Sequence, residues 1–161
     1  MTAKYHNKNS LIVGVISDTH GFLKPSVLQA FKQVDFIIHA GDIGHLEIIE
    51  TLQNIAPVFA VRGNMDCGTW ASKFPEAEVV EVGKNLIYVL HDLFRLDIEP
   101  ISVGFRAVIS GHSHRPSVEI KRGVLFLNPG SAAQPRYGFM PSVALIHVEG
   151  MSLNVRFVEL E

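Results

Sequence analysis

The amino-acid sequence predicts an α/β protein of two packed sheets with helices outside, and three observations lead there. In the first half, continuous apolar runs of strand length alternate with amphipathic segments, the pattern of a parallel sheet covered by helices. In the second half, short strand-like runs follow one another with glycine-containing turns and little helix between them. The chain has 161 residues, 47% of them hydrophobic, enough for one well-filled core and too few for two. A single domain over 1–161 is therefore expected, with residues 1–9 as a flexible arm.

The elements follow in order. "LIVGVIS" (Leu11 to Ser17), "DFIIHA" (Asp35 to Ala40) and "PVFAV" (Pro57 to Val61) read as strands buried on both faces. Between them, "PSVLQAFKQ" places Pro25 in a first helical turn with Val27, Leu28 and Phe31 on one face, and "HLEIIETLQ" groups Ile48, Ile49 and Leu52 likewise. Then come "EVVEV", "NLIYVL", "AVISG", "SVEIK", "VLFLN", "SVALIHV" and "LNVRFVEL", with a short helical turn between Phe94 and Val103. The turns "KRG" and "VEGMS" suggest antiparallel hairpins. Repeats, low-complexity tracts and linker-like stretches are missing.

Composition excludes several classes. Fourteen basic and sixteen acidic residues give a net charge of −2, so no broad attraction to nucleic acid or anionic membrane is implied. No apolar run approaches the ~20 residues a membrane helix requires. Cys67 is alone and cannot form an internal disulfide, and "MTAKYHNKNS" lacks the apolar core of a signal peptide, so a cytoplasmic location is expected. Neither a P-loop nor a Gly-x-Gly-x-x-Gly fingerprint is present.

The chemistry gathers where the apolar strands end. After "LIVGVIS" comes Asp18-Thr19-His20; after "DFIIHA", Gly41-Asp42; after "PVFAV", Gly63-Asn64-Met65-Asp66; after "NLIYVL", His91; after "AVIS", Gly111-His112-Ser113-His114. Each alone is also what an ordinary turn looks like, since Asn and Asp bond their own backbone and Gly tolerates unusual dihedrals. Together, at the carboxyl edge of a sheet where α/β proteins bind ligands, they supply a mixed carboxylate, amide and imidazole set. That set suits Mn²⁺, Fe²⁺, Co²⁺, Ni²⁺ or Zn²⁺ and poorly suits Ca²⁺. In an extended backbone the i, i+2 spacing of Asp18/His20 and of His112/His114 would turn both side chains to one side.

The ordered set Asp18-x-His20, Gly41-Asp42, Gly63-Asn64-x-Asp66, His91 and Gly111-His112-x-His114, followed by "NPGS" (Asn128 to Ser131) and Pro135-Arg136, resembles the calcineurin-like metallophosphoesterase superfamily. Within it the match is to the small single-domain prokaryotic phosphodiesterase branch. The resemblance implies a four-layer α/β/β/α sandwich of two mixed sheets flanked by helices, with two divalent metals at one edge, Mn²⁺ foremost. Asp18, His20 and His114 would hold one metal, Asn64, His91 and His112 the other, and Asp42 would bridge them. The implied activity is metal-dependent hydrolysis of a small phosphodiester, a water activated between the metals attacking phosphorus in line. It also suggests a homodimer or higher homo-oligomer.

Two positions depart from the family. Met65 stands where much of the superfamily has a histidine that contacts phosphate and can protonate the leaving oxygen; a thioether can do neither. Asp92 follows His91, where glycine is frequent. Asp66 reads as a support that orients the metal ligands through hydrogen bonds, and Arg136 as a phosphate contact, its planar fork matching phosphate oxygens. "NPGS" reads as a structural turn beside the site. His39 is expected to be satisfied by a backbone carbonyl, and nothing in the placement of His6, His45 and His147, in an amino-terminal arm, a helix start and a strand, favours metal. The alternative class is a weakly active or inactive metal-binding scaffold on the same fold, as in a eukaryotic sorting-complex subunit that resembles this family and uses its surface for partners.

Overall fold

The computed structural model describes residues 10–161. The arm expected at 1–9, with His6, lies outside the described residues. The first half is β1 (Ser10–Ile16), α1 (Pro25–Ala30), β2 (Phe36–His39), α2 (Leu46–Gln53) and β3 (Val58–Ala60). These strands pair in parallel, Val13 opposite Phe36 and Ile37 opposite Val58. Pro25 occupies the first turn of α1, where its missing N–H costs nothing, and Glu47 sits in the first turn of α2, where the helix dipole favours a negative charge.

The second half supplies β4 (Ala77–Val82), β5 (Asn85–Leu90), the four-residue helix α3 (Pro100–Val103), β6 (Phe105–Ile109), β7 (Pro116–Lys121), β8 (Val124–Pro129), β9 (Ser142–Glu149) and β10 (Ser152–Glu159). Two mixed five-stranded sheets result, in the orders β10-β9-β1-β2-β3 and β4-β5-β6-β8-β7. The hairpins β7–β8 and β9–β10 are antiparallel as expected, and so is β4–β5. The mixed sheets are as expected, and two features go beyond the sequence reading. Strands β5, β6 and β8 pair in parallel, because the connections after β5 and β6 run back along the sheet. The last hairpin returns to the first sheet, β9 lying antiparallel to β1 with Val13 opposite Ile146.

Strand alternation sorts the apolar residues. Val13, Val15, Phe36 and Ile38 face Ile87, Val89, Ala107, Ile109, Leu125 and Leu127 between the sheets, while Ile16 and Ile37 turn outward onto Val27, Phe31, Ile48, Ile49 and Leu52 of the helical layer. Each such side chain contributes about 1.5–3 kcal/mol on burial. Gly14 is what lets α1 dock, since a Cβ there would lie 2.9 Å from the Phe31 ring. On the far face of the second sheet the layer is thin: Leu90, Val108 and Val124 form a small cluster with Tyr88, Leu96 and Phe126 against it. The rigid sandwich brings the carboxyl ends of β1, β2, β3, β5 and β6 to one edge.

Candidate metal centre

Backbone pairing continues past the strands and ties the loops together. The amide of Asp18 donates to Gly41 O at 3.0 Å, that of His20 to Asp42 O at 3.0 Å, and that of Gly111 to His91 O at 2.9 Å. Two glycines allow this closeness: a Cβ on Gly63 would meet Asp42 Oδ1 at 2.1 Å, and one on Gly111 would meet Ser17 Oγ at 2.0 Å.

Among the described residues, seven non-glycine residues have positive φ, and five of them are Asp18 (55°), His20 (46°), Asp42 (53°), His112 (71°) and His114 (58°). This corrects the expectation of extended i, i+2 pairs: the side chains converge through left-handed turns. Such a conformation costs about 1 kcal/mol or more per residue and persists only where the surroundings over-determine it, which happens chiefly at functional sites.

Asp18 is fully buried and its two oxygens differ. Oδ2 accepts from Ser17 Oγ at 2.8 Å and from the His112 amide at 3.1 Å. Oδ1 has no hydrogen-bond partner among the described residues, yet lies 3.2 Å from His114 Nε2, 3.7 Å from His20 Nε2 and 3.8 Å from His91 Nε2. Asp42 repeats the arrangement. Its Oδ1 accepts from the Met65 amide at 2.9 Å, and its Oδ2 lies 3.2 Å from His91 Nε2 and 3.8 Å from His20 Nε2.

The imidazoles are held from behind. His91 Nδ1 donates to Ala40 O at 2.8 Å, which leaves Nε2 facing Asp42 without a properly directed hydrogen bond. His114 Nδ1 donates to Gln134 O, and its Nε2 stands 3.2 Å from His20 Nε2. His112 Nδ1 lies 3.0 Å from Asn64 Oδ1, both nearer solvent than the rest. Burial disfavours charging His91, but Asp42 and Asp18 outweigh it and move its pKa up; contact with Asp18 does the same for His114, against burial. For Asp42, burial works upward but the His91 contact and the Met65 amide prevail, and the net shift is down.

Two groups, Asp18/His20/His114 and Asp18/Asp42/His91, bring their ligand atoms within 4.8 Å of one another. Buried lone pairs with no donor between them incur a desolvation penalty that a divalent cation offsets. The donor set therefore fits metal. Asp18 takes part in both groups, and Asp42 Oδ2 lies between His20 of one and His91 of the other.

Asp66 accepts the amides of Ile43 (3.1 Å), Gly44 (3.0 Å) and Gly63 (2.8 Å), stapling the Asp42 loop to the Asn64 loop. Asp92 adopts ordinary extended dihedrals, so glycine is not needed there; its side chain caps the turn at Leu93–Arg95 through the Phe94 amide. Arg136 is exposed, its charge near enough to His114 to oppose that residue's protonation. His39 differs from expectation in its partners: Nδ1 accepts from the Gly41 amide, and Nε2 meets Thr19 Oγ1 at 3.0 Å. Burial pulls its pKa down to about 4, so the ring is neutral.

Sequence reading undervalued the segment that runs from the end of β8 onward. Asn128 Nδ2 donates to Gly111 O (2.9 Å) and Ser113 Oγ (3.0 Å), Ser131 Oγ donates to Asp18 O at 2.8 Å, and Gln134 O holds His114. A buried amide and hydroxyl inside "NPGS" were the available signal.

The calcineurin-like phosphoesterase superfamily domain model matches residues 11–151, and the chain belongs to that family. A probable metallophosphoesterase of Methanocaldococcus jannaschii is 34% identical, the match covering 94% of this chain and 83% of that protein. A phosphodiesterase of the same organism is 28% identical over 85% of this chain and 93% of its own length. Among solved structures, a predicted phosphoesterase of Streptococcus pneumoniae superimposes with a TM-score of 0.77 at 28% identity, covering 93% of this chain and 90% of that one. Vacuolar protein sorting 29 of Cryptosporidium parvum shares the fold, with a TM-score of 0.75 at 23% identity and coverage of 94% and 98%. Among the described residues, no helix is long and apolar enough to cross a membrane.

Proposed function

We propose that the chain is a metal-dependent phosphodiesterase acting on small phosphodiesters. The observation that carries this is the pair of buried atoms without hydrogen-bond partners, Asp18 Oδ1 and His91 Nε2, each within 3.2 Å of another ligand-type atom. Asp18, His20 and His114 would hold one divalent cation, and Asn64, His91 and His112 a second, with Asp42 between them and Asp18 Oδ1 within reach of both. Mn²⁺ is the first candidate and Fe²⁺, Co²⁺, Ni²⁺ and Zn²⁺ the others. Two such cations, when bound, supply an activated water and neutralise charge on the phosphoryl oxygens.

The chain's own residues prepare that chemistry. Ala40 O and Gln134 O fix the tautomers of His91 and His114, so that each presents Nε2 to the centre. Ser17 and the His112 amide aim Asp18, and the Met65 amide aims Asp42. Asp66 positions both loops without touching substrate. Arg136, at the open side near His114, is assigned to a phosphoryl oxygen.

The test is hydrolysis of bis(4-nitrophenyl) phosphate by the purified chain with added Mn²⁺, against the same protein in chelator. Activity that depends on metal is expected. Metal bound at these residues without turnover would favour the scaffold reading instead.

A further inference from the structure

A cleft of about 400 Å³ opens from the candidate metal edge and differs in character from it. One end is formed by Asn64, His91 and His112, and the floor by Ala77, Tyr88 and Leu90, on the side of the second sheet turned away from the core. The rim carries both signs, Arg62 and Arg95 with Glu76 and Asp97. Inorganic phosphate or a methyl ester would leave most of this volume to water.

The floor is set before any ligand arrives. The Tyr88 ring lies on Phe105, centroids 5.2 Å apart and planes 30° from one another. Arg62 is held by Phe74 O at 2.8 Å and by Glu76 at 3.3 Å. Burial and the Asp97 charge raise the Tyr88 pKa, so its hydroxyl stays a donor. An apolar floor with a fixed aromatic ring suits a flat ring, and guanidinium donors interleaved with carboxylate acceptors suit a ring whose edge carries both donors and acceptors. The carboxylates on the mixed rim and the net charge of −2 oppose a long run of phosphates.

We propose that this cleft is a nucleoside subsite, so that the favoured substrates are small phosphodiesters with a nucleoside on one ester arm and phosphorus at the metal edge. The proposal rests on the phosphodiesterase reading for the position of phosphorus. Tyr88 is its stacking platform and Arg95 its base-edge contact.

The experiment compares two diesters with the same 4-nitrophenolate leaving group, thymidine 5′-(4-nitrophenyl) phosphate and methyl 4-nitrophenyl phosphate, on the full chain with Mn²⁺. The nucleoside diester should have the higher kcat/KM by about tenfold or more, mainly through KM, as stacking of one base supplies. Tyr88→Ala should bring the ratio close to one. Arg95→Ala, on an exposed side chain that does not endanger folding, should lower it severalfold. A ratio near one in the unaltered protein, or a ratio that both variants leave intact, overturns the subsite. If neither diester is hydrolysed although metal is bound, it is the phosphodiesterase reading that fails, and calorimetric titration of the metal-stripped protein then decides the subsite. Thymidine 5′-monophosphate binding tighter than methyl phosphate, by a margin lost in Tyr88→Ala, sustains it; equal affinities overturn it.

Discussion

Met65 donates its backbone amide to Asp42 Oδ1 at 2.9 Å while the residue is 63% exposed. The position thus serves the proposed bridging carboxylate through its main chain and leaves its side chain exposed. General acid catalysis supplies about 10²–10⁴-fold, most where the leaving oxygen is a strong base. An aryl oxide leaves without a proton and an alkoxide does not. Met65→His keeps the amide and should raise the rate on alkyl diesters by more than on aryl diesters. Because the readout is a ratio on one protein, metal loading cancels; equal effects would show that leaving-group protonation is not what this position lacks.

Asp42 Oδ2 faces His91 and His20 together, whereas His20 lies in one ligand group alone. Asp42→Ala should therefore lose both metals and cost about tenfold more activity than His20→Ala, which should lose one. Metal content by elemental analysis beside kcat checks this. Full metal and full activity in Asp42→Ala would remove the proposed site.

Diesters should be preferred over monoesters. A monoester dianion needs more donors around its extra charge, and the open edge offers Arg136 but no side-chain donor from Met65. A substrate panel at neutral pH with a clear monoester preference would contradict this.

Asp66→Ala removes the acceptor of three backbone amides from two loops. Bonds to a charged, mostly buried acceptor are worth about 1.5–3 kcal/mol each and water recovers part, so a loss of about 3 kcal/mol, roughly 10 °C in Tm, is expected. Metal affinity should fall with it, by about 10- to 100-fold. Asp66→Asn should do less. An unchanged melting curve would mean the staple is dispensable.

His39 gives a pH dependence with a defined sign. Unfolded, it takes a proton near 6.5; folded, only near about 4. Between those values the unfolded chain binds more protons, so stability falls as pH drops from 6.5 toward 4 and levels off below. The contribution is about 3 kcal/mol. In urea titrations of metal-free protein at pH 7 and pH 5, His39→Asn should lose less stability on acidification than the unaltered chain. Equal losses would assign the acid sensitivity elsewhere.

The candidate ligands were legible in the sequence because the signal is local. A strand buried on both faces, such as Leu11 to Ile16, must give way to polar residues where it leaves the core, and there stand Asp18, Asp42, Asn64, His91 and His112. The alternation of apolar runs, read alone, yields the three parallel strands, both longer helices and the hairpins. What the chain could not show by itself depends on partners far away in sequence. The left-handed φ of Asp18 is held by Gly41 and by the His112 amide, the latter 94 positions distant. The three amides on Asp66, the Asn128 bonds to the His112 loop, and the return of β9 to β1 are of the same kind. Local preference for an aspartate in a turn is satisfied equally by many geometries. Only the packing of the two sheets selects the one in which Asp18 Oδ1 and His91 Nε2 are buried with no donor between them.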